Sequence, residues 1–171
     1  MLWKTLATAV LFACTSHTVS AQDESPYAGQ QTRQIKTFST AEVQGYLEGR
    51  GMGFAKAAEL NHYPGPKHVL ELAELLPLTE EQVRQTESIF ENMRAEAISL
   101  GERLLAAETE LDARFASGTI GEDELDSLVA AIAAIRGQLR AAHLRAHLRQ
   151  KRILTPEQVR RYDALRGYET H

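Results

Sequence analysis

Leu154-Thr155-Pro156-Glu157-Gln158 has an earlier counterpart in the chain, Leu78-Thr79-Glu80-Glu81-Gln82. In each, a threonine stands where a helix N-cap belongs, and a glutamine follows three residues later. This is the spacing of a capping box. The hydroxyl accepts from the third backbone N–H of the helix, and the glutamine side chain returns to the N–H of the cap. Pro156 is a further start signal, because proline is tolerated at the first helical position, where a missing donor goes unused. One capping box marks a helix start and carries no chemistry. Two copies bracketing a long helical stretch define an architecture.

Between the copies the apolar pattern is long and regular. Val83, Phe90, Ala97, Leu104 and Leu111 fall seven apart, with Thr86, Met93, Leu100 and Ala107 three residues on. This heptad stripe predicts a helix from Thr79 to about Phe115. Ser117-Gly118-Thr119-Ile120-Gly121 breaks it. A second helix starts in Glu122-Asp123-Glu124, where acids suit the positive end of the helix dipole. Its stripe is Leu125, Ile132, Leu139, Ala146 and Ile153, with Leu128, Ile135 and Ala142 alongside. Two helices of about 50 Å joined by a short turn must run antiparallel. Charge agrees: Glu80 to Asp126 carries 13 acids against four arginines, while Arg136 to Arg161 carries eight basic residues against Glu157 alone. The second helix thus lays its basic half beside the acidic first helix, and both motif copies come to the same end.

The 171 residues predict one folded domain, and few aromatics with abundant Ala, Leu, Glu and Arg favour helix. A net charge of −4 gives no reason to expect nucleic acid as a partner. Residues 1–21 read as a secretory signal: Lys4, then the apolar run Leu6 to Ala13, then Val19-Ser20-Ala21 as a cleavage site. The run is too short for a stable membrane span. Leu11-Phe12-Ala13-Cys14 offers an alternative lipoprotein processing site at Cys14, the sole cysteine, with bulky Phe12 arguing against it. Cleavage after Ala21 leaves a mature protein that no disulfide can hold.

Residues 22–39 are polar and read as a disordered leader, and 40–171 as the all-α domain. Thr40 is expected to cap a short helix, and Phe54 to Leu60 and His68 to Leu76 to form two more. Gly49-Arg50-Gly51-Met52-Gly53 resembles a phosphate cradle only superficially: no strand precedes it and no Lys-Ser/Thr follows, so it reads as a bend. Leu144 and Leu148 lie off the seam of the second helix, and Ile98 and Leu105 lie off the seam of the first. Such extra apolar faces predict packing against a partner or a second copy.

Paired Leu-Thr-x-x-Gln motifs flanking a long helical hairpin behind a secretion signal resemble the Spy/CpxP family of bacterial periplasmic proteins. The resemblance covers Thr40 to Tyr168 and rests on Leu78, Thr79, Gln82, Leu154, Thr155 and Gln158. It implies an elongated antiparallel helical hairpin with short flanking helices, four helices in all, dimerising into a curved cradle. It also implies periplasmic localisation. Its members are ATP-independent chaperones of the stress response, inhibitors of envelope-stress sensor kinases, or, in the ZraP/CnrX-like branch, heavy-metal-binding and metal-resistance proteins. The motif residues are structural caps.

The residues themselves support two readings. Arg140, Leu144, Arg145, Leu148 and Arg149 form a mixed cationic and apolar surface that could hold unfolded client proteins by charge attraction followed by apolar contact. The bland alternative is a solvated face and a subunit interface. His143 and His147, one helical turn apart, could share a divalent metal (Zn, Cu, Ni or Co) with His68 if the short helix packs at their level. The neighbouring arginines oppose this. No cofactor is required in the chaperone reading. An enzyme is not expected: there is no nucleophile in a strained turn, no HExxH motif and no carboxylate pair with an evident cleft.

Overall fold

The computed structural model describes residues 25–168, and all regular structure there is helical. The proposed secretory signal and Cys14 lie outside the described residues. The chain forms two units, Met1–Gln31 and Thr32–His171. In the first, the described residues are turns and the start of a short 3-10 helix, Gln30–Thr32. Among the described residues the second carries six α-helices: α1 (Thr40–Leu47), α2 (Lys56–Glu59), α3 (Pro66–Glu71), α4 (Glu80–Ser117), α5 (Glu122–Ile153) and α6 (Pro156–Arg166).

Local chemistry sets these boundaries. Thr79 caps α4 and Thr155 caps α6, each with both bonds of the capping box. At α4 the box reads Gln82 N–H to Thr79 Oγ1 at 3.2 Å and Thr79 N–H to Gln82 Oε1 at 2.9 Å. Gly118, in the left-handed region, ends α4 by donating back to Phe115 O. The first helix corrects the expectation that Thr40 is its cap. Ser39 caps α1, because Glu42 stands three residues on and returns the bond to the Ser39 N–H at 2.8 Å. The same position relative to Thr40 is Val43, which cannot accept. The short elements also differ from their expected spans. α2 is a single turn, and α3 begins earlier, with Pro66 at its start, and gives way to turns after Glu71.

α4 and α5 pack along their length. Gln150 reaches Thr86, Arg145 reaches Glu96, and Arg114 reaches Glu124. Late residues of one helix therefore meet early residues of the other. One core cluster joins Ala97, Leu100 and Leu104 to Ile132, Ile135, Leu139 and Ala142. These are heptad positions read from the sequence, each contributing about 1.5–3 kcal/mol for the larger side chains. α1 lies so close to α4 that a Cβ on Gly101 would stand 2.5 Å from Tyr46 O, so only glycine fits there.

Two expectations are corrected by the same cluster. Ile35 and Phe38 are buried in it, so the stretch before α1 is packed structure and residues 32–39 are not a disordered leader. Two apolar side chains in an otherwise polar segment suffice to anchor it. Leu105 is covered in this cluster rather than presented to a partner. A second, smaller cluster gathers Val69, Leu76, Leu154 and Tyr162, with Leu72, Leu78, Ile153, Val159 and Tyr168 partly buried around it. The leucines of both motif copies thus enter one core.

The glutamines of the two copies meet. Gln82 Nε2 donates to Gln158 Oε1 at 2.8 Å, and Gln158 Nε2 donates to Gln82 Oε1 at 2.9 Å. Each also donates to the carbonyl two residues before the other's capping threonine: Gln82 to Ile153 O at 2.7 Å, Gln158 to Pro77 O at 2.8 Å. With the cap bonds included, both amides use two donors and two acceptor sites, the full capacity of the group. The two copies form one approximately symmetric clamp that ties the start of α4 to the start of α6.

Candidate functional site

A cavity of about 640 Å³ lies where the glycine-rich segment 49–53 meets α4, α5 and the turns around α2 and α3. Gly49 seats this segment. Its φ is 67°, and a Cβ there would lie 3.0 Å from Arg94 O and 3.2 Å from Ile98 Cγ1. Phe90, Met93 and Arg94 line the cavity from one face of α4, while His143, Ala146 and His147 line it from α5. Leu60, Pro66 and Tyr168 add apolar wall, and Arg50, Lys56 and Lys67 add charge. A smaller cavity of about 440 Å³ lies between Met52, Gly53 and Phe54 and the α5 residues Arg136, Gly137 and Arg140.

At the wall of the cavity that Glu59 lines, a polar cluster fixes α6. Glu59, mostly buried, accepts a hydrogen bond from Tyr162 Oη and lies 3.5 Å from Arg166 Nε. Gly65 N–H donates to Tyr162 Oη at 3.4 Å. Burial, with the Glu59 carboxylate beside it, pushes the Tyr162 phenol well above its ordinary value. It stays a neutral donor. His62 Nδ1 and Asp163 Oδ2, at 2.9 Å, add a second link between this region and α6.

His68, His143 and His147 all border the large cavity, yet each is engaged separately. His147 Nδ1 donates to Tyr63 O at 2.7 Å, with Glu59 Oε2 at 3.6 Å. His68 Nδ1 is 2.8 Å from Glu71 Oε2. His143 is 4% exposed, stacks on Phe54 with ring centroids 5.6 Å apart, and leaves Nε2 without a partner. Burial, then the neighbouring His147, lowers its pKa to about 4, so it is neutral near neutral pH. Among the described residues no three His, Cys, Asp or Glu side chains group so as to hold a metal ion.

The expected client-binding residues sit on α5. From Arg136 to Ile153 this helix carries six basic residues and no acid. Arg145 is spent on Glu96 at 2.7 Å, Arg136 lies 3.9 Å from the buried Glu108, and Lys151 stands over the Tyr63 ring at 3.9 Å. Arg140, Arg149 and Arg152 are exposed and make no ion pair among the described residues. Leu148 is 46% exposed, and Leu144, one turn earlier, is half-buried. Leu78, Thr79, Gln82, Leu154, Thr155 and Gln158 all converge on the clamp described above.

The cavity was not anticipated from the sequence, nor were Glu59 and Tyr162. A signal existed in Phe90, Met93 and Arg94, three and four residues apart and so on one helix face, opposite a segment with glycine at every second position. The contact of the two glutamines was equally unforeseen, although their placement at the same end was not. No described helix is long and apolar enough to cross a membrane. The chain matches no family model, no curated protein and no solved structure.

Proposed function

We propose that the protein is a non-catalytic, ATP-independent chaperone-like protein of the periplasm, of the Spy/CpxP type, that holds unfolded envelope proteins on the outer face of α5. One observation carries this reading: an 18-residue run of α5 with six cations, no carboxylate, and Leu148 exposed among free arginines. Such a surface attracts acidic unfolded segments at long range and then offers apolar contact, with weak individual contacts that allow release. The proposal includes an elongated hairpin and a homodimer, which sedimentation of the purified protein would show as twice the chain mass. The primary test is light scattering of a reduced, unfolding client. Near-stoichiometric protein should suppress aggregation without nucleotide; no suppression at several-fold excess removes the proposal.

The alternative is a heavy-metal-binding or metal-sensing role through His68, His143 and His147. Their shared cavity favours it, while their separate engagements require rearrangement first. Calorimetric titration with zinc, copper, nickel and cobalt decides it. Binding lost in His143→Ala supports the metal reading, and a flat titration ends it.

A further inference from the structure

The large cavity has the composition of a ligand site that the α5 surface does not use. Its walls are apolar side chains from three places in the chain: Leu60 from the turn after α2, Phe90 and Met93 from α4, and Ala146 from α5. Its volume, about 640 Å³, lies within the range of pockets that enclose one small molecule. Its acids are already committed. Glu48 is bound to Arg50 at 2.6 Å and to Gln44 at 2.6 Å, and Glu59 is bound to Tyr162. The side chains of Lys56 and Arg94, both exposed at the cavity, make no hydrogen bond or ion pair among the described residues. The unmatched charge of the cavity is therefore positive. Met52, at the mouth, is a non-glycine residue with φ of 41°, and backbone strain of this kind concentrates at ligand clamps and active sites.

Apolar walls beneath a cationic rim complement one kind of small molecule: a single apolar chain ending in an anion. We propose that the cavity binds a long-chain fatty acid, its chain against Leu60, Phe90 and Met93 and its carboxylate at the rim that carries Lys56 and Arg94. Arg140, Leu144, Arg145, Leu148 and Arg149, the proposed client surface of α5, are not among the residues that line the cavity. The site therefore stands whether or not α5 holds clients.

The test uses the full chain and parinaric acid, a fluorescent fatty acid, at concentrations below micelle formation. Saturable binding of one molecule per chain is expected, with palmitate displacing the probe at least tenfold better than its methyl ester or an alkyltrimethylammonium of the same length. Lys56→Gln/Arg94→Gln, both exposed side chains, should weaken binding at least tenfold with helicity unchanged. Leu60→Glu, also exposed, should weaken it further by placing a carboxylate in the cavity. Absence of saturable binding, equal displacement by the cationic chain, or unchanged affinity in both variants overturns the proposal. Aggregation suppression by the two variants should equal that of the parent, which separates this site from the α5 face.

Discussion

The clamp at Gln82 and Gln158 and the cavity beneath Gly49–Gly53 are built against the same two long helices, and they treat polar groups in opposite ways. At the clamp every donor and acceptor of two amides is matched, and the leucines beside them are sunk in a common core. At the cavity two cationic side chains make no hydrogen bond or ion pair among the described residues, a methionine holds a left-handed backbone, and the buried His143 leaves a ring nitrogen unsatisfied. A closed polar network specifies one geometry, because each partial alternative leaves buried groups unpaired. A few polar groups set around an apolar hollow are the pattern of a ligand pocket. The motif end holds the fold, and the proposed binding surfaces lie beside it on the helix pair.

Substitutions should separate the two regions by size of effect. The largest is expected for Gln82→Leu, which strands the Thr79 N–H, the Gln158 amide and Ile153 O together. About 3 kcal/mol should be lost, read as a lower urea midpoint at unchanged slope. A loss below about 1 kcal/mol would mean that water replaces the amide and that the clamp is not sealed. Next comes acid. His143 titrates near 6.5 when unfolded and at about 4 when folded, so between those values the unfolded chain binds the extra proton. Stability is then complete above pH 6.5 and falls as pH drops towards 4, by at most about 3 kcal/mol. His143→Phe should flatten this limb in pH-dependent unfolding, and a limb that persists unchanged assigns it to other groups.

Smaller effects test the caps. Thr79→Ala, Thr155→Ala and Ser39→Ala should each cost about 1 kcal/mol in thermal unfolding, whereas Thr40→Ala should be close to neutral. Equal losses at Ser39 and Thr40 would contradict the capping box at Ser39. A small effect is also expected at Arg145→Gln, which removes an exposed pair with Glu96 and should change stability by less than about 1 kcal/mol.

The long helices were legible because their signals are local and periodic. Heptad spacing places Ala97, Leu104, Ile132 and Leu139 in the core, and Thr-x-x-Gln marks where α4 and α6 start. Placement of both motifs at one end followed from the length and direction of two helices alone. What was not legible depends on contacts between segments far apart in the chain. The exchange between Gln82 and Gln158 spans 76 residues, and nothing in either motif alone distinguishes a glutamine that only caps from one that also reaches a partner. Ile35 and Phe38 were hidden by their polar surroundings, since two apolar side chains leave no period to detect. The cavity was hidden for a related reason: glycines at every second position announce a bend, and only α4 and α5 on either side turn that bend into a wall.

The division of labour between clamp and helix face is tested most directly by aggregation suppression with Arg140→Gln/Arg149→Gln. These exposed arginines make no ion pair among the described residues, so the urea midpoint should stay where it is. Suppression of client aggregation should fall several-fold at equal protein concentration, and added salt should weaken the parent protein in the same direction. Undiminished suppression by the double variant would contradict the assignment of binding to α5.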